Sequence, residues 1–304
     1  MNCPSYPSIF SISHKASKPL FDGKTEVLVE EKVDGSQFTF GIRDGELRMR
    51  SKGAEVHEHA PEALFSKAVT AVQSLKPLLK EGWLYRGEYL RAPKHSTLVY
   101  NRTPNNHIMI FDIETDAGEH LNPEAKKQEA ARLGLETVPM FYAGVLTSPD
   151  ALRQYLDTES VLGGQKIEGV VVKPAAYDVY GKDKKVLLAK FVSEAFKEVH
   201  QAVWTKDNKP AGGRDVTTAI GSQYCTAARW QKAVMRLKEQ GVLVGTHGDI
   251  GLLIKSVIQD IQKEEEEAIK QKLFDWAWPQ IRRMATAGLP EWYKEELIKE
   301  VHKP

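Results

Sequence analysis

Residues 26–50 alternate in a way that suits strands and little else. Residues 26–31 read as one short strand, and 36–42 and 46–50 each alternate polar with apolar side chains. Asp44-Gly45 separates the last two, a pair matched to a tight hairpin because such a turn needs positive φ. Lys32-Val33-Asp34-Gly35 then lies in the bend between two strands, where a side chain can be presented to a pocket. The chain therefore opens on antiparallel sheet, and its fold must accommodate that bend.

Further along, residues 61–79 read as a helix, and 83–90 and 107–113 as strands. Asn122-Pro123 has the N-cap and first-turn chemistry of a helix start, and Gly134 closes that helix. Ser148-Pro149 opens another in the same way, and 170–172 and 186–191 are short apolar strands. After about Trp204 the pattern changes. Residues 206–214 (KDNKPAGGR) read as a linker, and 216–240, 250–274 and 291–301 carry helical periodicity. Two domains are expected, 1–204 and 205–304: an α+β unit of antiparallel sheets with flanking helices, then a small all-helical domain.

Composition narrows the class. With 41% hydrophobic residues the chain can bury a core. Its 42 basic and 41 acidic residues nearly cancel, so a nucleic-acid groove would have to come from local arrangement. Two cysteines are too few for a disulfide framework and point to a reduced, cytoplasmic setting. The first fifteen residues lack the basic-then-apolar order of a secretory signal, and no apolar run reaches membrane-helix length. A cytoplasmic monomer with no membrane partner is expected.

Polar residues recur where the strands end: Glu31-Lys32-Val33-Asp34-Gly35, Arg50-Ser51, Gly87-Glu88, Phe111-Asp112, Lys166-Ile167-Glu168-Gly169 with Lys173, and Lys190. Singly, each has a plain explanation. A Lys-x-Asp-Gly tetrapeptide is usually a surface turn, Phe111 is by default a core aromatic, and Lys190 can snorkel from a strand end. As an ordered set over about residues 25–200, they resemble the collinear motifs of the covalent nucleotidyltransferases, the superfamily of ATP-dependent DNA and RNA ligases and mRNA capping enzymes. In detail the set is similar to the RNA ligase 2 family.

The resemblance implies a nucleotidyltransferase (ATP-grasp-like ligase) domain and an ATP-dependent RNA ligase. Such an enzyme joins RNA 3′-hydroxyl and 5′-phosphate ends through a covalent lysyl-AMP, in RNA repair or in sealing nicked duplex RNA. It implies that Lys32 attacks ATP, Glu31 recognises adenine, and Arg50 contacts the nucleotide and the strand ends. Glu88 would bind the ribose, Phe111 would stack on the base, and Asp112 would support the pocket. Glu168 would place Mg2+ (or Mn2+) and the attacking 3′-hydroxyl, while Lys173 and Lys190 would hold phosphates. The chemistry is coherent: a lysine is nucleophilic only when neutral, and the positive charge of Lys173, Lys190 and bound metal disfavours its ammonium form. The same cations would stabilise phosphate charge in each transfer.

Three positions differ from the family's usual pattern. Asp34 stands where histidine is frequent, as in DNA ligases; Gln37 replaces an asparagine; Leu188 replaces the first of two lysines in the last motif. Asp34 keeps open a DNA ligase with an atypical tail, and Leu188 keeps open a catalytically silent nucleic-acid-binding relative. The helical tail favours RNA ligase, since DNA ligases and capping enzymes carry an OB-fold of short strands there. With 31 residues ahead of Lys32, ATP rather than NAD is the expected donor. The acidic run 264–267 reads as a solvated helix face, and His57-Glu58-His59 as polar surface. Trp276, Trp278 and Trp292 read as packing for the helical domain rather than platforms for bases.

Overall fold

Asp44 (φ 56°) and Gly45 (φ 74°) both adopt positive φ, and the hairpin they close joins β3 (Ser36–Arg43) to β4 (Glu46–Ser51). A computed structural model of the chain describes residues 3–59, 61, 63–181, 183–193 and 216–301. The described strands form two five-stranded sheets. The first runs in the order β1 (Ile9–Ser11), β10 (Leu188–Val192), β9 (Gly169–Pro174), β2 (Glu26–Lys32) and β8 (Met140–Val145). The second runs β4, β3, β5 (Leu84–Tyr89), β6 (Ile108–Glu114) and β7 (Glu136–Thr137). Both are mixed, which corrects the expectation of purely antiparallel sheets: β1 is parallel to β10, and β7 to β6. These two edge strands have three and two residues, too few to show alternation.

Each sheet buries one face in an apolar cluster. Val27, Val29, Val170, Val172 and Ala189 form one with Leu20 and Leu152. Phe38, Phe40, Met49, Tyr85 and Ile110 form the other with α1 (Ser66–Leu75), whose Ala68, Val69, Val72 and Leu75 recur at helical spacing. This helix starts later than residue 61, and a 3-10 turn at Lys76–Leu78 follows it, where Pro77 removes a backbone donor. In α2 (Pro123–Arg132), Asn122 caps as its sequence requires, its side chain accepting from the Ala125 N–H at 2.9 Å. Ser148 caps in the same manner, but the segment it opens, Pro149–Tyr155, is a 3-10 helix.

Beyond the sheets lie α3 (Val216–Tyr224), α4 (Ala227–Glu239), α5 (Ile250–Ala285) and α6 (Leu289–Val301). The single helix expected over 216–240 is two, because Thr226 turns its hydroxyl onto the Arg229 N–H at 3.3 Å and starts α4 afresh. The expected linker at 206–214 and the boundary at 204/205 lie outside the described residues. No residue of the helical unit belongs to the three buried apolar clusters among the described residues. Trp276, Trp278 and Trp292 are 58%, 44% and 56% exposed, which corrects the expectation that they pack its interior. Among the described residues no helix is long and apolar enough to cross a membrane.

Candidate active site

Lys32 ends β2, and strand alternation decides which way it points. It pairs with Gly169, and Val171 two residues on pairs with Lys190, so Lys32 and Lys190 share the face of the first sheet opposite its apolar cluster. The bend that follows is fastened from three sides. Val33 is buried beside Leu90 and Tyr100. The Asp34 carboxylate accepts from the backbone N–H groups of Thr97 and Leu98, each at 2.8 Å, and its own N–H donates to the Tyr100 hydroxyl at 2.8 Å. Gly35 donates to Glu88 Oε1 at 3.1 Å, and a Cβ there would come within 2.6 Å of the Tyr89 carbonyl oxygen. The Lys-x-Asp-Gly bend is thus a fitted part of the site rather than a surface turn.

Lys32 Nζ lies 2.7 Å from Glu168 Oε2, and the Glu168 side chain is fully buried. Burial opposes the lysine's charge, but Glu168, Glu88 and Asp34 outweigh it and hold the amine firmly as ammonium. The expectation that neighbouring cations depress this lysine is therefore corrected for the arrangement seen here: the groups that dominate it are carboxylates. Glu88, on β5 of the second sheet, is itself pushed up to about 8 by burial, with Glu168 and Asp34 reinforcing and Lys32 opposing.

Glu31 alternates to the other side of β2. Its carboxylate accepts from the Ser160 hydroxyl at 2.5 Å and the Val161 N–H at 3.1 Å, which ties the strand to the loop ahead of Glu168. Arg50 pairs with Thr39 on the polar face of the second sheet, and its guanidinium donates to the Cys3 carbonyl at 2.8 Å. Phe111 is the extra residue of a β-bulge: Arg86 pairs with Asp112 and Gly87 with Ile110, leaving Phe111 unmatched. A bulge re-aims a side chain and frees backbone groups. Here the ring meets Tyr6 at 5.1 Å between centroids, and the carbonyl accepts from Lys126 and Lys173, both at 2.9 Å.

That bulge accounts for Lys173. Its three N–H donors go to the Phe111 carbonyl at 2.9 Å, Asp112 at 2.6 Å and Glu30 at 2.6 Å, in a position only 1% exposed. In this arrangement Lys173 joins the two sheets, with its donors on these three partners. Asp112 also accepts from Tyr6 and Tyr177, and Lys126 meets Glu30 at 2.5 Å. Leu188 is buried beside Lys173 through the strand register, which leaves Lys190 as the last motif's lysine.

The helical unit reaches into this site. Lys232 of α4 donates to Glu168 Oε1 at 2.8 Å, so two lysines bracket one carboxylate. Against the effect of burial, they draw Glu168 down to about 2. Glu264 of α5 meets Lys190 at 2.7 Å, Glu265 meets Arg229 at 3.0 Å and Glu267 meets Lys15 at 3.5 Å. The acidic run expected to be a solvated face is therefore engaged on its inner side. Sequence reasoning missed Tyr6, Lys126, Lys232 and Glu264, none of which sits in a local motif. Among the described residues no group of three His, Cys, Asp or Glu could hold a metal ion by itself. Glu168 fits a cation differently, as a buried carboxylate already balancing positive charge at both oxygens.

A family model described as RNA ligase matches residues 25–192, more than half of the chain. No curated protein matches. Among solved structures, a point mutant of Naegleria gruberi RNA ligase with AMP and Mn aligns at TM-score 0.51 and 19% identity, over 65% of this chain and 58% of that one. The same ligase with PPi aligns at TM-score 0.50 and 20% identity, over 66% and 58%. At such identity the likeness speaks for the fold, and this chain spans less than two thirds of those proteins.

Proposed function

Since this chain belongs to the RNA ligase family, we propose that it joins RNA 3′-hydroxyl and 5′-phosphate ends with ATP, through a covalent AMP on Lys32. The observation that carries this is the contact of Lys32 with buried Glu168 at 2.7 Å, on one sheet face with Lys190 and opposite Glu88. In the first step Lys32 Nζ attacks the α-phosphorus of ATP; an N–P bond forms and the bond to pyrophosphate breaks. Nζ must give up a proton before it attacks, and Glu168 Oε2, which accepts the hydrogen bond from Nζ, would orient the amine. Lys190 would hold the phosphates, and Glu88, carrying a proton below about pH 8, can donate as well as accept toward a ribose hydroxyl. Glu168 would hold Mg2+ or Mn2+, which would supply positive charge to counter that of the substrate phosphates.

AMP then passes from Lys32 to an RNA 5′-phosphate, and Nζ recovers a proton as the N–P bond breaks. Attack by the 3′-hydroxyl on the activated phosphate closes the strand and releases AMP. The substrate is nicked duplex or broken RNA, and the role is RNA repair. The described tail supports RNA over DNA, because α3 to α6 are helices with no strand among them. A nicked duplex with RNA on the 3′-hydroxyl side should be sealed faster than an all-DNA nick, and Glu168→Ala should abolish sealing of both. Equal or better sealing of all-DNA nicks would favour the DNA ligase reading that Asp34 left open.

A further inference from the structure

Two ion pairs cross between the helical unit and the site, and each brings in a charge of the same sign as the group that the proposed reaction would bind there. A carboxylate, Glu264, sits on Lys190, where the proposed reaction needs phosphate; an ammonium, Lys232, sits on Glu168, where it needs a cation. We infer that the helical unit is a latch in competition with ATP, Glu264 standing in for a phosphate oxygen on Lys190 and Lys232 for a positive ion on Glu168. The inference rests on the nucleotidyl-transfer reading of that site.

The way the unit is held supports a releasable contact. α4 and α5 are bound to each other by Arg229 to Asp260 at 2.5 Å and by Arg236 to the Ser256 carbonyl at 2.6 Å, so they move as a pair. Lys232 and Glu239, seven residues apart and hence on one helix face, meet Glu168 and Ser36 of the catalytic unit. Asp260, Glu264 and Glu267 follow the same spacing on α5, toward Arg229, Lys190 and Lys15. Gln231 adds a polar contact to Thr97 at 3.4 Å. With no apolar cluster shared among the described residues, the two units have the kind of interface that permits relative motion. ATP that takes Lys190 must displace Glu264, and its apparent affinity falls by the fraction of molecules that are open.

The test is equilibrium binding of α,β-methylene-ATP to the full chain by calorimetry. The carbon bridge prevents Lys32 from expelling pyrophosphate, so binding is read apart from chemistry. Glu264→Gln and Lys232→Ala should each tighten binding by about tenfold, as the closed fraction falls. Lys232→Ala is decisive, because removing a cation beside a phosphate site would weaken binding if no latch existed. Weaker or unchanged binding in that variant overturns the latch. Should a variant fold poorly, hydrogen exchange on the wild type reads the same event: the analogue should raise amide exchange in α4 and the first half of α5, and unchanged or slower exchange overturns the proposal. Equal binding by all three proteins would overturn the latch alone, whereas no binding by any would overturn the site reading with it.

Discussion

At the scale of single residues, Glu88 shows how this site stores charge. In the folded chain it keeps its proton to about pH 8, whereas an ordinary glutamate loses it near 4.5. The folded state therefore binds more protons than the unfolded chain between those values, and this group's contribution to stability falls as pH rises through that window. Glu88→Gln should flatten that part of the curve of Tm against pH; an unchanged slope would show that the carboxyl is not held protonated. The proposed site residues Lys32, Glu88 and Glu168 sit in short motifs whose order is visible along the chain. Lys232 and Glu264 were invisible because their partners lie 64 and 74 residues away, and a lone lysine or an acidic run carries no sign of what it will meet.

Among elements, the bulged strand β6 does the most to join the two sheets. Phe111 leaves the ladder, and its carbonyl is satisfied by Lys126 of α2 and Lys173 of β9, with Glu30 bridging both lysines. Lys126→Met would leave Glu30 and the Phe111 carbonyl short of a buried partner, at a cost of about 3 kcal/mol in urea unfolding. A variant as stable as wild type would mean that the bulge is set by something other than this network. Strand alternation revealed β2, β3, β4 and the hairpin, since each has a clear inside and outside. It could not reveal the bulge, which is a matter of register between strands, nor the parallel edge strands, which are too short to carry a pattern. The buried partners of Lys173 were hidden for the same reason: its strand was recognised, but those neighbours belong to other elements.

For the whole molecule, two sheets bury their apolar faces outward of the site and turn their polar faces to each other. The helical unit then closes over them with charge rather than with an apolar core. That the C-terminal region is helical was legible because periodicity changes from strand to helix along the chain. The contact between them was not, because it is made by single charged side chains on long helices. The central claim is that Lys32 carries AMP, and it is tested most directly with ATP labelled at the α-phosphate. With ATP and Mg2+, the wild-type chain should become covalently labelled on the peptide containing Lys32, while Lys32→Ala takes up none; label on another residue, or no adenylate on the wild type, would contradict the account.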